Sequence, residues 1–326
     1  MQPTKFAARL NSFKSRHESY WPGNNRIAAL DLARRAATVP GLNAVDLNYP
    51  DHFEAVRARE FAQQLLDLGL GLNGFAMRYY SEPAFKLGAF TNPDASVRRK
   101  AIDLTKRGID ALREAGGELM TLWLGQDGFD YAFQIDYARA WDMELAAIAE
   151  VCAHDRSVNI SLEYKPNEPR AFALLPDVGT TLVAIKEVGA ANLGVTLDFA
   201  HVLYADEMPA FAAMLVARHA RLFGVHLNDG YGKRDDGLMA GSVHVFETIE
   251  LLHVIGALGY DSAIYFDTFP DASGLDPVAE CAANIDAVRR MQKVSAKLKG
   301  NRGLAAAIAA QDPVAARLIV NGALYG

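Results

Sequence analysis

The chain has 326 residues, 51% of them hydrophobic, which is enough apolar material for one large domain or two smaller ones. Its formal net charge of -6 does not favour nonspecific binding to a nucleic-acid backbone, so we expect no nucleic-acid partner. No apolar run approaches the roughly 20 residues that span a bilayer, and the amino-terminal segment lacks the apolar stretch of a secretion signal, so we expect a cytoplasmic protein without a membrane-bound part.

Short apolar runs predict eight β-strands that alternate with longer segments of helical periodicity. The strands are expected at residues 6–10, 44–47, 70–75, 118–124, 158–164, 193–197, 222–227 and 263–266. Helical periodicity is found at residues 26–38, 96–115, 137–153, 182–188, 208–218, 245–258 and 278–292. Glycine, asparagine and proline residues punctuate the joins between these elements.

This alternation is typical of two α/β folds, a closed (β/α)8 barrel (TIM barrel) and an open doubly wound sheet. An open sheet usually carries a glycine-rich loop after its first strand, but residues 11–14 read Asn-Ser-Phe-Lys. We therefore predict a TIM barrel over residues 1–295 with a C-terminal helical extension over residues 296–326. The alanine-rich extension packs either on a neighbouring subunit or as a cap on its own barrel.

Each of the last four predicted strands ends in a carboxylate or an imidazole: Glu163, Asp198, His226 and Asp267. In a closed barrel these strand ends converge on one mouth. Any one of these side chains alone could be a strand-end polar group that forms a loop hydrogen bond. Four on consecutive strands favour a shared divalent cation, because Mg²⁺ and Mn²⁺ prefer oxygen ligands and Mn²⁺ also accepts imidazole.

Residues 163–170 read Glu-Tyr-Lys-Pro-Asn-Glu-Pro-Arg, which resembles a characteristic segment of xylose isomerases, with Tyr164 in place of a proline. Weaker likenesses lie upstream at residues 85–91 and 122–125 and downstream at residues 198–201 and 222–228, in the order in which the family has them. The resemblance covers roughly residues 40–295. Its superfamily includes xylose isomerase, L-rhamnose isomerase, ketose 3-epimerases and endonuclease IV, which resemble one another in having a metal-bearing barrel mouth.

The resemblance implies roles for individual residues. The four strand-end residues named above stand where the family holds its substrate-binding metal, and Asp198 and His226 are more like L-rhamnose isomerase and the epimerases than xylose isomerase. Lys165 stands where the isomerases polarise the carbonyl oxygen of the sugar. Trp123 and Tyr80 match aromatic positions that wall the sugar site.

A second metal site is implied less completely. His201 and Asp235 match ligands of the second metal in the isomerases, but Gly237 stands where those enzymes have another carboxylate. Asp236 could replace that carboxylate only if the loop shifts by one residue.

Two more positions depart from the family. Asn48 stands in place of the histidine that opens cyclic sugars, although Asp51 keeps the position of its aspartate partner, and asparagine is no general base near pH 7. Asp267 is shorter than the glutamate that the 3-epimerases use as their second acid/base, which weakens the epimerase hypothesis.

The leading hypothesis is a metal-dependent aldose–ketose isomerase using Mn, Mg or Co, with Glu163, Lys165 and Asp267 as catalytic residues and a small sugar as substrate. The alternative is a ketose 3-epimerase with Glu163 and Asp267 as the acid/base pair. An endonuclease IV-like phosphodiesterase would need more metal-ligating residues than eight histidines supply, and a non-catalytic sugar-binding barrel also remains open. The family resemblance predicts a homodimer or homotetramer. The chain has only two cysteines, far apart in sequence, and such a low number is typical of proteins in a reducing compartment.

Overall fold

Eight strands of the computed structural model, which describes residues 4–23, 27–53 and 57–326, form one closed parallel barrel. Each strand pairs with its neighbours in sequence, and the last pairs with the first through the register Phe6–Ile264. The prediction of a TIM barrel is confirmed, and the open sheet is excluded. The strands are β1 Phe6–Arg9, β2 Ala44–Tyr49, β3 Gly71–Met77, β4 Leu119–Leu122, β5 Asn159–Glu163, β6 Leu193–Asp198, β7 Leu222–His226 and β8 Ile264–Phe266.

In the described part of the chain, eight principal helices follow the eight barrel strands. Four of them, which begin at residues 95, 137, 178 and 277, are preceded by an aspartate whose carboxylate accepts a backbone N–H of the first turn, which satisfies a donor that the helix itself leaves unpaired. The helices are α1 Ala29–Ala36, α2 Ala58–Asp67, α3 Ala95–Glu114, α4 Tyr137–His154, α5 Val178–Val188, α6 Pro209–His219, α7 Val245–Ala257 and α8 Pro277–Leu298. Helix α2 was absent from the predicted helical segments, and residue 26 of the first predicted segment lies outside the described residues.

Shorter helical turns lie in the connections. The α-helical turns are His17–Tyr20, Phe199–Tyr204 and Pro270–Ser273, and the 3-10 turns are Leu10–Lys14, Asp51–Phe53 and Pro83–Leu87. Several of them directly follow a barrel strand, so they shape the loops at the carboxyl ends of the strands.

Alternation along the strands divides the buried side chains into two layers. Phe6 and Phe266 belong to the main core and stack with ring centroids 5.7 Å apart. Ala7 and Tyr265 are adjacent to them in sequence but belong to a small separate buried cluster with Ala44. This alternation turns every second side chain of a strand into the barrel interior, and those at the carboxyl ends of the strands reach the barrel mouth.

Two strands of two residues each were not predicted. Gly128–Phe129 and Phe172–Ala173 pair antiparallel and join the loops that follow β4 and β5. A Cβ atom on Gly128 would lie 2.1 Å from the carbonyl oxygen of Phe172, so only glycine permits this close pairing. A strand of two residues has no periodicity that a sequence pattern can reveal.

The C-terminal extension forms two helices, α9 Arg302–Ala309 and α10 Pro313–Tyr325. Lys297 of α8 donates a 3.0 Å hydrogen bond to the carbonyl oxygen of Ala323, and the Arg317 guanidinium lies 3.5 Å from the ring centroid of Phe246 in α7. The extension therefore packs on its own barrel. Within the described ranges, we find no helix long and apolar enough to cross a membrane.

Candidate metal centre and active-site cavity

Four side chains from consecutive strands meet at the carboxyl-terminal mouth of the barrel. Glu163, Asp198 and His226 end β5, β6 and β7, and Asp267 follows β8 directly. Each offers one ligand atom, and the four atoms all lie within 4.8 Å of one another. We call these residues the metal quartet.

The donor set of the quartet fits a divalent cation. Nδ1 of His226 lies 3.1 Å from Oε1 of Glu163 and 3.9 Å from Oδ2 of Asp198, and the three residues are buried. Burial and the neighbouring carboxylates raise the pKa of Asp198 to about 7, although the nearby His201 opposes the shift. Burial alone would lower the pKa of His226, but Glu163 and Asp267 raise it to about 9. A cation would relieve the crowding of these negative groups.

Asn228 orients the quartet, and sequence reasoning did not assign it a role. Its amide nitrogen donates to both carboxylate oxygens of Asp198, at 3.2 and 3.1 Å, and to the backbone oxygen of Asp267 at 3.1 Å. Its amide oxygen accepts from the backbone nitrogen of Ala200. The residue is completely buried two positions after His226. It ends the segment 222–228 that resembles the family, and this was the sequence signal that could have indicated it.

Arg9, at the end of β1, also contacts the quartet and was not predicted. Its Nε lies 3.7 Å from Oδ1 of Asp267, and its Nη1 lies 2.9 Å from Oδ1 of Asp271. Arg9 thus links a metal-quartet carboxylate to the turn that follows β8.

His201 and Asp235 lie beside the quartet. Nε2 of His201 is 3.1 Å from Oδ2 of Asp235, and the same oxygen is 3.1 Å from Nζ of Lys165. Burial alone would lower the pKa of His201, but Asp198 and Asp235 raise it to about 10. The structure thus brings together the two residues expected at a second metal site, and it adds an ammonium group to them.

The backbone conformation of the loop after β7 and its contact with Phe269 explain why position 237 holds a glycine. Gly237 has a φ of +55°, and a Cβ atom there would lie 2.3 Å from Cδ2 of Phe269. No longer side chain fits without displacing that ring. Asp236 does not take its place, because its carboxylate accepts from the Tyr231 backbone nitrogen and pairs with Arg234.

A cavity of about 490 Å³ opens at the quartet. Its wall contains Trp123, Tyr80 and Asn48 of the predicted substrate site, together with Lys165. The Tyr80 and Trp123 rings meet edge to face at 5.8 Å, and Nζ of Lys165 lies 5.2 Å from the Trp123 ring centroid.

Asp51 is not among the residues that line this cavity. It lies in the 3-10 turn after β2, where its carboxylate accepts a 3.4 Å hydrogen bond from Ser81. Of the four residues expected to bind the substrate, Asp51 is thus the one that the structure places outside the cavity wall.

The fold and this cluster define a (β/α)8-barrel protein with a group of largely buried side chains suited to hold a divalent cation. Residues 33–291 match the family described as "Xylose isomerase-like TIM barrel", and the chain belongs to this family. The resemblance inferred from residues 163–170 is thereby confirmed.

Individual relatives include sugar isomerases and epimerases. A xylose isomerase of Thermus thermophilus is 29% identical over 215 residues, which are 64% of this chain and 56% of that protein, so the match spans little more than half of the relative. The structure of an L-ribulose 3-epimerase matches with a TM-score of 0.68 and 18% identity over 92% of this chain and 99% of its own. A D-psicose 3-epimerase from Clostridium cellulolyticum H10, solved with D-tagatose, matches with a TM-score of 0.64 and 15% identity over 88% and 99%. At these identities the structural matches support the fold.

Proposed function

We propose that this protein is a metal-dependent sugar isomerase, which interconverts an aldose and a ketose by 1,2-hydrogen transfer at the barrel mouth. The observation that carries the proposal is the presence of Lys165 in the same cavity as Glu163 and His226 of the metal quartet. An ammonium group beside a cation site is suited to a carbonyl substrate whose oxygen gains negative charge. The relatives named as sugar isomerases and epimerases add support.

The metal quartet would hold a Mn²⁺, Mg²⁺ or Co²⁺ ion. Such an ion supplies Lewis-acid polarisation of sugar oxygens when it is bound. His201 and Asp235 are the residues that would contribute to a second site.

Lys165 is the residue that would stabilise negative charge on the carbonyl oxygen. Its Nζ lies 3.1 Å from Oδ2 of Asp235 and 2.8 Å from Oε2 of Glu168. Burial opposes its positive charge, but these two carboxylates outweigh burial and raise the pKa of Lys165. The side chain therefore stays protonated near neutral pH and can donate a hydrogen bond to the substrate.

Glu163 is the residue that would move a proton. Its carboxylate lines the cavity, and although burial opposes ionisation, His226 and His201 hold its pKa below the usual value. It is therefore available as a base for the hydrogen on the carbon next to the carbonyl. In a hydride shift the carbon-bound hydrogen moves with its bonding electrons and only the hydroxyl proton has to reach the carbonyl oxygen, so no base is needed at carbon and Glu163 would serve as a ligand alone.

A ketose 3-epimerase is the second candidate, because Glu163 and Asp267 both line the cavity. In this reaction one carboxyl group removes a proton from the sugar carbon and the other returns a proton to the opposite face. Asp267 would play this role while its carboxylate lies 3.7 Å from Arg9.

The test is incubation of the Mn²⁺-loaded protein in D2O with a panel of aldoses and ketoses, both neutral and carrying a carboxylate or phosphate group, followed by chromatography and mass analysis. Formation of an aldose from a ketose supports the isomerase, whereas formation of a new ketose supports the epimerase. Deuterium in the product indicates proton transfer, and its absence indicates a hydride shift. No turnover of any sugar with Mn²⁺, Mg²⁺ or Co²⁺ would overturn both proposals and favour a sugar-binding barrel.

We further propose a homodimer or homotetramer in the cytoplasm. Cys152 and Cys281 are free and buried, as is common for proteins of a reducing compartment. Leu318 and Val314 of α10 remain exposed on the single chain and could contact another subunit. Light scattering on the purified protein tests the assembly, and a monomeric mass would contradict it.

A further inference from the structure

Arg78 is a cationic residue of the cavity that neither the sequence analysis nor the proposed mechanism uses. It directly follows β3, which ends at Met77, and its side chain is half-buried. It lines the same cavity as Glu163 and Lys165. A substrate held at the metal quartet would therefore share this space with the Arg78 guanidinium.

The other two permanent cations of the cavity wall are neutralised by carboxylates. Lys165 pairs with Asp235 and Glu168, and Arg9 pairs with Asp267 and Asp271. Arg78 differs from both in its partners, which are neutral.

Among residues 4–23, 27–53 and 57–326, no carboxylate lies within 4.0 Å of the Arg78 side-chain nitrogens. Its partners are neutral: the ring of Tyr80, whose centroid is 4.9 Å from Cζ, and the amide of Asn48. A partly desolvated charge without a counter-charge is unfavourable, so its presence in a cavity indicates a ligand that supplies one.

A network of neutral groups holds the guanidinium in place. The hydrogen-bonding environment orients the Asn48 amide with its oxygen toward Nε and Nη2 of Arg78, both at 3.2 Å, and toward the amide nitrogen of Asn11 at 2.8 Å. The amide oxygen of Asn11 in turn lies 2.8 Å from Nε2 of His52. Nδ1 of His52 accepts the backbone N–H of Asn48 at 3.0 Å, which closes the network.

These contacts determine the tautomer and the charge of His52. Because Nδ1 accepts a hydrogen bond, Nε2 carries the proton and donates it to Asn11. Burial, Arg78 and Arg9 together lower the pKa of His52 to about 3, so the ring is neutral near pH 7. The network therefore fixes Arg78 without compensating its charge.

We propose that the ligand of this cavity is an open-chain sugar with an anionic group, a carboxylate or a phosphate, that binds the Arg78 guanidinium. Asn48 occupies the Nε and Nη2 edge, whereas Nη1 forms no hydrogen bond within the described part of the chain. The nitrogen that remains suits an oxyanion acceptor, because charge-assisted hydrogen bonds from guanidinium to carboxylate or phosphate are strong. The identification of the ligand as a sugar rests on the proposed function, and its negative charge rests on Arg78.

The test compares three unreactive five-carbon probes on the Mn²⁺-loaded protein by isothermal titration calorimetry: xylitol, xylonate and xylitol 5-phosphate. We expect at least one anionic probe to bind about tenfold or more tightly than xylitol, as expected for a charge-assisted contact. The tighter of the two anions identifies the carboxylate or the phosphate as the preferred group. Arg78→Met should remove the preference, so that the anionic probes bind no more tightly than xylitol, whereas Arg78→Lys should retain part of it.

Arg290→Met is the matched control, because Arg290 lies on α8 in an exposed ion pair with Asp286. It should keep the full preference. Equal binding of the three probes by the wild type would overturn the inference without any variant. A preference that survives Arg78→Met would also overturn it, since the anion would then bind the metal or another cation.

Failure of the two proposals can be distinguished. The probes have no aldehyde or ketone group, so binding is measured without turnover. An Arg78-dependent preference for anions in a protein that converts no sugar would remove the isomerase and retain the anion site. Turnover of neutral sugars with no preference for anions would remove the anion site and retain the isomerase.

Discussion

Glu163→Gln is the substitution that tests the metal quartet most directly. It keeps the size of the side chain but replaces a negative oxygen donor 3.1 Å from Nδ1 of His226 by a neutral amide. Loss of a supporting residue near a metal weakens binding about 10–100-fold, so loss of a charged ligand should reach at least the upper end of that range. The expected loss is therefore on the order of 2.7 kcal/mol of metal-binding free energy.

This loss can be measured through the stability of the protein, without any assay of activity. At a Mn²⁺ concentration of about 1,000 times the wild-type Kd, ligand linkage stabilises the wild type by roughly 4.1 kcal/mol. A Kd that is about 100-fold weaker leaves roughly 1.4 kcal/mol at the same concentration. Thermal or urea unfolding with and without Mn²⁺ should show this smaller stabilisation, and elemental analysis after dialysis should show less than one bound ion.

The matched control is Glu168→Gln. Glu168 lines the same cavity and pairs with Lys165, but it is not a member of the quartet and its side chain is 41% exposed. It should retain the full stabilisation by Mn²⁺. If Glu163→Gln retains one equivalent of metal and the full increase in unfolding free energy, the assignment of the quartet is wrong.

Asn228 and Gly237 lie at the barrel mouth, and Glu144 lies on the buried face of α4. Asn228→Ala removes two hydrogen bonds from the Asp198 carboxylate, so we expect about 10-fold or weaker Mn²⁺ binding in a metal titration; unchanged affinity would contradict an orienting role. Gly237→Ala should lower the unfolding free energy by about 1–3 kcal/mol in urea, because φ is +55° and the new Cβ meets the Phe269 ring; a neutral effect would show that the ring moves freely. Glu144 is fully buried without a hydrogen-bond partner among the described residues, and burial raises its pKa well above the usual value. The unfolded chain therefore ionises first, and the unfolding free energy falls as pH rises from the unfolded pKa of about 4.3 toward the folded pKa. Glu144→Met should remove this part of the pH dependence in urea titrations at pH 5 and pH 8, and an identical difference between the two pH values in both proteins would refute the explanation.

Local patterns in the sequence were enough to predict the barrel and the place of its chemistry. The alternation of apolar runs with helical segments predicted all eight strands, because a buried strand appears as a short apolar run wherever it lies in the chain. Glu163, Asp198 and His226 each end such a run, and the geometry of a closed barrel brings strand ends to one mouth. Their meeting within 4.8 Å, with Asp267, follows from that geometry.

Other features could not be predicted in this way. The two-residue strands at Gly128 and Phe172 are too short to carry a period, so contacts made after folding, rather than a local preference, determine their conformation. Helix α2 differs from them, because Ala58, Phe61 and Leu65 recur at helical spacing and are buried; its periodicity was present in the sequence and was missed.

The details of the cavity were decided by the tertiary structure alone. The amide of Asn48 meets the guanidinium of Arg78, which lies 30 positions further along the chain, and Gly237 is required by the ring of Phe269. A sequence pattern reports the preference of a residue for burial or for a turn. Which distant side chain fills a given space, and which charge stays uncompensated there, depends on packing between segments that only the closed barrel brings together.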